Sequence, residues 1–244
     1  MTKKKKTLKE ELEKLDSQTL LEVERKFVQK QLLDSLYLFT KELGYIDVNI
    51  RSHGKQINAL ESPTKRKILV VPRGTFKSTL GSISYPLWRL IKNPNLRILI
   101  DSEIYSNSIT YLRSIKEHIM SESFIRIFGN IQGSIWREDS ITLNTRTKTL
   151  KEASITCGGV ETTKVGQHYD LIIGDDYNSP ANSDTKEKAQ KVIDHYRYNL
   201  NILEPDGEYV IIGTRYSEND LIAFLLREVL GLKELSEGIT DIYT

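Results

Sequence analysis

The chain has 244 residues, of which 39% are hydrophobic, so it is long enough for one large domain with a sizeable core. Its 35 Lys and Arg residues against 33 Asp and Glu leave a net charge of +2, which excludes a general electrostatic attraction to nucleic acid. A single cysteine, Cys157, excludes an internal disulfide and a cysteine-based zinc site. There is no signal-peptide core and no apolar run of the ~20 residues that a membrane helix needs, so we expect an intracellular protein with no membrane partner.

Residues 1–43 are predicted to form an N-terminal helical segment. From residue 8 to residue 43 there is neither Pro nor Gly, and the apolar residues recur at helical spacing. This pattern predicts one or two amphipathic helices that end at Gly44. The basic run Lys3–Lys6 could contact DNA or a partner, but such a terminus is more typical of a solvated tail.

Residues 44–244 are predicted to form one domain, because short apolar runs alternate there with helical stretches. The predicted strands are 68–71, 97–100, 171–173 and 209–212, and the predicted helices are 77–91, 104–120 and 185–203. Such alternation predicts an α/β fold with a mainly parallel sheet flanked by helices. Residues 136–156 alternate polar and apolar positions around a basic turn, which predicts an antiparallel hairpin at the sheet edge.

The most informative stretch is 68–80, ILVVPRGTFKSTL, where an apolar strand leads through a tight loop into a helix. Backbone N–H groups at such a helix start can bind phosphate, while a Lys reaches the outer phosphates and a Ser or Thr hydroxyl ligates magnesium. Against the pattern GxxxxGK[ST], Val71 and Phe76 stand where glycines belong, so only Gly74, Lys77 and Ser78 remain. A surface turn before a helix capped by Ser or Thr is the alternative interpretation.

Two further strands end in polar residues. The run 169–176, YDLIIGDD, ends in Asp175, which suits holding the hydration shell of Mg²⁺, and Asp176, which suits orienting a water molecule. A helix cap is the alternative for this acidic pair. Asp170 heads the strand, so we expect it at the far end of the sheet in a structural role. The run 209–216, YVIIGTRY, places Thr214 at the end of a third strand.

The order of these three motifs, together with Pro-Arg-Gly-x-x-Lys-Ser-Thr in the first, resembles the large terminase subunits of tailed bacteriophages over roughly residues 53–225. The resemblance implies the ATPase domain of a DNA-packaging motor, a P-loop NTPase of the additional-strand class that uses ATP and Mg²⁺. It implies that the nucleotide phosphates are bound by Arg73, Gly74, Thr75, Phe76, Lys77, Ser78 and Thr79.

The same resemblance implies a role for each remaining site residue. Arg73 is expected near the terminal phosphate, where it stabilises developing charge. Ser78 and Asp175 are expected to hold magnesium, and Asp176 to prepare the attacking water, although the family more commonly has Glu at this position. Thr214 would face the terminal phosphate and couple hydrolysis to movement.

The stretch 53–56 occupies the place where the family contacts adenine, so Gln56 is a candidate to hydrogen-bond the base. A Gln before a strand is more often a surface residue, which is the alternative. His168 is a candidate base, with hydrogen-bonded structure as its alternative.

The implied partners are double-stranded DNA, the portal protein, the small terminase subunit and further copies of the chain in a ring on the procapsid. The implied location is the host cytoplasm and, transiently, the portal vertex. Arg137, Arg146 and Lys164 are candidates for a cation donated to a neighbouring subunit.

The family's nuclease is a separate domain that follows the ATPase, whereas here only a helix at 220–229 and a tail follow the third motif. We therefore expect no DNA cleavage by this chain, and slow ATP hydrolysis by a monomer that lacks its neighbour's cation. Two alternatives remain open. One is a non-viral, helicase-like ATPase stimulated by nucleic acid, and the other is a nucleotide-binding module with little hydrolysis.

Overall fold

A seven-stranded sheet forms the centre of the computed structural model, which describes residues 16–162 and 166–229. Its strands are β1 (Arg66–Val70), β2 (Ile98–Ser102), β3 (Gln132–Trp136), β4 (Ser140–Leu143), β5 (Ile155–Gly159), β6 (Tyr169–Asp175) and β7 (Leu203–Gly213). They lie in the order β1-β7-β6-β2-β5-β4-β3. The first five in this order pair in parallel, which confirms the predicted mainly parallel sheet.

The helices of the described residues are α1 (Ser17–Asp34), α2 (Leu36–Glu42), α3 (Ile50–Glu61), α4 (Tyr85–Lys92), α5 (Tyr105–Met120), α6 (Glu122–Phe128), α7 (Lys186–Asn201) and α8 (Leu221–Phe224). Two π-helical segments, Thr79–Ser84 and Leu225–Val229, adjoin α4 and α8. None of the helices in residues 16–162 and 166–229 has the length and apolar character needed to cross a membrane.

Side-chain alternation along the parallel strands gives the sheet two buried faces. Ile98 and Ile100 of β2 belong to the core that α1 to α6 cover, which we call the front face. Leu99 of β2 and Tyr209 of β7 belong to the core beneath α7 and α8, which we call the back face. Strands buried on both faces need nearly continuous apolar sequence, and this explains why the sequence predicted them.

The N-terminal helices are confirmed where the structure describes them. Asp16 caps α1 and Ser35 caps α2, so the chain divides into two helices at Ser35. Gly44 follows with φ of 96°, the left-handed conformation that favours glycine at a helix end. Lys3–Lys6 lie outside the described residues. Both helices add apolar side chains to the front-face core.

The predicted edge hairpin was partly wrong. β4 and β5 do pair antiparallel, with Ile141 opposite Ile155. However, β5 also pairs in parallel with β2, so it lies inside the sheet, and the edge is formed by β3 and β4. β3 was missed because its residues are mostly exposed and lack a clear apolar alternation.

Candidate functional site

The three motifs meet at one edge of the sheet, at the carboxyl ends of β1, β7 and β6, which we call the site edge. We call residues 71–76, which follow β1, the phosphate loop after their sequence pattern. β7 lies between β1 and β6, so the third motif separates the strand before the phosphate loop from the strand of the acidic pair. The amide of Val71 donates to the carbonyl of Gly213 at 3.2 Å, and the amide of Asp176 donates to the carbonyl of Ile212 at 2.8 Å. Ligands of parallel α/β sheets bind at this kind of edge.

The loop after β1 turns twice through left-handed backbone conformations. Gly74 has φ of 77° and Phe76 has φ of 55°. Phe76 stands where the P-loop pattern has glycine, and it adopts the conformation that favours glycine. Its ring packs edge-on against the His53 ring of α3, with 5.4 Å between centroids. A non-glycine residue at such a φ is strained by about 1–3 kcal/mol, so surrounding contacts must hold it there.

The helix after the loop begins at Lys77 and continues through the π-helical segment into α4. Ser78 makes no side-chain capping hydrogen bond, which argues against the alternative of a capped surface helix. Gly81 brings this helix close to the sheet, because a Cβ atom there would lie 2.0 Å from Cδ1 of Ile212. π-helical segments of this kind are frequent at functional sites.

Asp175, the first residue of the acidic pair, is completely buried and lacks a full set of hydrogen bonds. The Ser82 hydroxyl donates to its Oδ2 at 2.6 Å, whereas no described residue donates a hydrogen bond to its Oδ1. Burial raises the pKa of Asp175, although the hydrogen bond from Ser82 and the nearby Ser78 hydroxyl act in the opposite direction. The hydroxyl of Tyr111, from α5, also neighbours Ser78 and Asp175.

Asp176 lies at the mouth of the site with φ of 47°. Its carboxylate accepts a short hydrogen bond from Nζ of Lys77, and it is about one-third exposed whereas Lys77 is buried. Asp is among the few non-glycine residues that enter this left-handed region, which gives a reason for Asp at this position. Neither acid caps a helix, because Thr185 caps α7, so the capping alternative for the pair is wrong.

The arrangement of Ser78 and Asp175 fits a divalent cation. A buried carboxylate oxygen without a partner is uncommon in folded proteins and indicates an absent cation, water or ligand. Hydroxyl and carboxylate oxygens are the ligand atoms that Mg²⁺ prefers. Within residues 16–162 and 166–229, no three His, Cys, Asp or Glu side chains are grouped to hold a metal, so the fit rests on these two residues.

Arg73 lies in the loop, and Thr214, which follows β7, lies beside the start of the loop. Arg73 is exposed and contacts Tyr216: its Nη2 and Nε donate to the Tyr216 hydroxyl at 2.6 and 3.2 Å, and its guanidinium carbon lies 5.6 Å from the ring centroid. The Thr214 hydroxyl donates to the carbonyl of Val71 at 3.2 Å.

The sequence had assigned no role to Tyr216, Tyr111 or Ser82. Of these, only Ser82 had a usable signal, because it follows Ser78 by four residues on the same helix.

Gln56 lies beneath the phosphate loop. It is buried in α3, so the alternative of a surface position is wrong. Its Nε2 donates to the carbonyl of Thr75 at 3.2 Å, and its buried Oε1 has no hydrogen-bond partner among the described residues. The structure thus connects Gln56 to the loop backbone, and its contact with adenine stays a prediction.

The candidates for a cation acting on a neighbouring subunit lie in different places. Arg137 is exposed in the turn between β3 and β4, at the same edge of the sheet as the phosphate loop. Arg146 lies at the opposite edge, where its guanidinium donates to the carbonyls of Glu152 and Leu96 at 2.7 and 3.4 Å. Lys164 lies outside the described residues.

His168 and Asp170 lie at the start of β6, which is the edge opposite the site. Arg97 binds both carboxylate oxygens of Asp170, with Nε to Oδ2 at 3.0 Å and Nη2 to Oδ1 at 2.9 Å. The predicted structural role of Asp170 is therefore confirmed. The position of His168 separates it from the acidic pair by the length of the strand.

Of the comparisons with known proteins, only the comparison with solved structures found similar proteins. No family model matches the chain, and no curated protein matches it. A solved structure of a Dbp5 variant from S. cerevisiae, bound to Nup159, a Gle1 variant, IP6 and ADP, is similar with a TM-score of 0.51 and 13% identity over 80% of this chain and 49% of that chain. The large terminase of bacteriophage HK97 is similar with a TM-score of 0.51 and 13% identity over 75% of this chain and 37% of that chain.

The chain therefore spans about half or less of the solved chains that it resembles. At this identity the likeness concerns the fold alone. The fold is a mixed α/β sheet of seven strands with flanking helices, and it is similar to part of each of these two solved structures.

Proposed function

We propose that this protein is a Mg²⁺-dependent ATPase of the additional-strand P-loop class, with its ATPase domain in residues 44–244. The observation that carries the proposal is the meeting of Lys77, Asp176 and a buried, partner-deficient Asp175 at the end of the phosphate loop. The position of β7 between β1 and β6 supports the class, because it supplies the additional strand.

Each residue would act by binding and orienting. Lys77 and the loop amides from Gly74 to Thr79 would bind the phosphates, and Arg73 would leave Tyr216 to reach the terminal phosphate. Ser78 and Asp175 would hold the magnesium ion, which neutralises phosphate charge when bound. Once the phosphates draw Lys77 away, the carboxylate of Asp176 is free to orient and polarise water. Catalysis would come mainly from positioning and electrostatics.

We further propose that ATP hydrolysis moves double-stranded DNA into a viral procapsid. The order of the three motifs and the structural similarity to the HK97 large terminase support this proposal. It includes a ring of copies that acts at a portal protein with a small terminase subunit, in the host cytoplasm. Thr214, which hydrogen-bonds the start of the phosphate loop, would couple phosphate loss to movement.

Arg137 is the candidate that best suits donation of a cation to a neighbouring subunit. It is exposed at the same edge of the sheet as the phosphate loop, whereas Arg146 is held by backbone carbonyls at the opposite edge. A cation supplied by a neighbour typically contributes ~10³–10⁵ in rate in P-loop enzymes that use one. If a neighbour supplies this cation, the ATPase rate per subunit should rise with protein concentration. We expect Arg137→Ala to abolish this rise and Arg146→Ala to keep it.

Stimulation of phosphate release by different nucleic acids tests the motor proposal. Magnesium-ATP hydrolysis is measured alone, with double-stranded DNA and with single-stranded RNA, using Lys77→Ala as the inactive control. Stimulation by double-stranded DNA supports packaging. A second candidate is an ATPase stimulated by another nucleic acid, and the equally similar Dbp5 structure, which contains ADP, supports nucleotide binding in either case. Stimulation by RNA alone would select that candidate.

A further inference from the structure

The chain folds back on itself directly after the acidic pair. Asp175 points to the front face, where Ser82 binds it, and Asp176 turns the backbone through its left-handed conformation. Tyr177 then lies against the back face, over Gly174. A Cβ atom on Gly174 would lie 2.2 Å from Cε2 and 2.5 Å from Cζ of Tyr177, so only glycine leaves room for the ring.

The hydroxyl of Tyr177 is anchored in a buried polar network. It donates to Oδ2 of Asp101, the penultimate residue of β2, at 2.8 Å, and it lies 3.0 Å from the hydroxyl of Tyr209 in β7. Nδ2 of Asn199 in α7 lies 3.1 Å from the Tyr177 hydroxyl and 2.7 Å from Asp101. Nε2 of His195 lies 2.6 Å from the same Asp101 oxygen. The network thus ties Tyr177 to two strands and one helix.

Three contacts restrain Asp176 in its unusual conformation. Its amide donates to the carbonyl of Ile212, its carboxylate pairs with Lys77, and the next residue in the chain is the anchored Tyr177. Under the proposed function, a bound nucleotide draws Lys77 to its phosphates, and the restraint from that side chain is lost. Of the three contacts, the hydrogen bond from the Asp176 amide to Ile212 and the anchored Tyr177 then remain to hold the turn.

We propose that Tyr177 is a positioning residue for hydrolysis, which holds Asp176 in the left-handed turn when Lys77 binds phosphate. This inference rests on the proposed ATPase function, because it assigns the orienting of water to Asp176. Tyr177 is buried in the back-face core and Lys77 lies on the other side of the Asp176 turn, so loss of the Tyr177 hydroxyl should change turnover and leave affinity intact. A small displacement of an orienting group is enough to slow a reaction markedly.

Tyr177→Phe tests the proposal, and Tyr209→Phe is the matched control. Both changes remove one buried hydroxyl from the same network, but only Tyr177 adjoins Asp176. We expect Tyr177→Phe to lower kcat by about tenfold to 10²-fold, with KM and the Kd of a non-hydrolysable analogue unchanged. Tyr209→Phe should keep kcat within about twofold of the wild type. Gly174→Ala, which displaces the ring and keeps the hydroxyl, should reproduce the kcat loss of Tyr177→Phe.

Hydrogen exchange of the Asp176 amide provides a measurement that does not depend on catalysis. In the nucleotide-free Lys77→Met protein, where the lysine restraint on Asp176 is absent, adding Tyr177→Phe should speed this exchange more than adding Tyr209→Phe, because the turn loses its remaining side-chain anchor. Equal exchange in the two variants, equal kcat losses in both, or an unchanged kcat in Tyr177→Phe would each overturn the proposal. Absence of phosphate release from the folded wild type would instead contradict the proposed function, and the exchange comparison would still show whether Tyr177 anchors the turn.

Discussion

Both edges of the parallel sheet contain a buried lysine and a buried carboxylate. These groups have full sets of partners at the edge opposite the site and incomplete sets at the site edge. At the edge opposite the site, Nζ of Lys67 donates to the carbonyl of Leu60 at 2.6 Å and to Oε1 of Glu208 at 2.7 Å, and it lies 3.2 Å from the Tyr85 hydroxyl. Arg89 binds the other oxygen of Glu208. Every charged group in this cluster has a partner.

At the site edge the corresponding groups are only partly satisfied. Lys77 binds Asp176, and Oδ1 of Asp175 receives no hydrogen bond from a described residue. The pKa values follow the same division: burial raises the pKa of Asp175, whereas Asp170 at the opposite edge has a lowered pKa because hydrogen bonds from Arg97 outweigh its burial. Buried charged groups with a full set of partners are typical of structural ion pairs, and buried charged groups without one are typical of ligand sites.

The largest expected effect comes from removing each of the two buried lysines. Lys77→Met should abolish binding of an ATP analogue, because the loop loses its ammonium group, and should cost little stability. Lys67→Met should leave affinity unchanged and destabilise the fold by about 1–3 kcal/mol, because the Leu60 carbonyl loses its buried donor while Arg89 keeps Glu208 paired. Calorimetric binding and denaturant unfolding measure the two effects. Unchanged affinity in Lys77→Met would show that the loop is not a phosphate site.

Substitutions of Asp175 and Asp176 should affect nucleotide binding and hydrolysis to different extents. Asp176→Asn should keep magnesium-nucleotide affinity and lower the single-turnover rate by about 10²–10⁴, the usual contribution of a positioned acid or base. Asp175→Asn should weaken both through the metal. Asp170→Asn, at the opposite edge, is the control that should change neither. Equal losses of affinity in the two site variants would contradict this division.

Asp175→Asn should also stabilise the protein in the absence of magnesium and nucleotide. Because the folded pKa of Asp175 lies above its ordinary value of 3.8, the carboxyl favours folding at low pH and loses that contribution as pH rises through the folded pKa. The gain of the variant over the wild type should therefore be absent below about pH 4 and grow as the pH rises toward neutral. Thermal unfolding across pH measures it, and a gain that grew toward low pH would contradict the raised pKa.

The smallest expected effect is that of Phe76→Gly, which restores the glycine of the P-loop pattern. Removal of the strain at φ of 55° favours the variant, and loss of the contact with His53 opposes it. We expect the two effects to offset each other to within about 1 kcal/mol, with nucleotide affinity nearly unchanged. A loss of several kcal/mol in denaturant unfolding would show that the ring, and not the loop shape, is the main requirement.

The parallel strands and the positions of Lys77, Asp175 and Asp176 could be predicted from the sequence. Buried strands leave apolar runs, and polar residues that follow those runs must meet at one edge of the sheet. Helix α3 was missed because Gly54 interrupts its pattern, although Asn49 caps it.

The conformations of Phe76, Asp176 and Tyr177 could not be predicted, because they depend on distant contacts. Phe76 is held by His53, and Tyr177 by Asp101 and Asn199, residues that the chain brings together only when the sheet forms. The presence of a Phe or an Asp residue does not by itself indicate a left-handed φ. The missing hydrogen bond at Oδ1 of Asp175 likewise depends on how the folded chain buries this carboxylate.

Phosphate release from magnesium-ATP, compared between the two lysine variants, tests the central claim most directly. We predict that the wild type releases phosphate only when magnesium is present, that Lys77→Met releases none, and that Lys67→Met retains the activity at a temperature where it is folded. Release that survives in Lys77→Met, or a folded wild type that releases no phosphate, would contradict the assignment of ATP hydrolysis to the site edge.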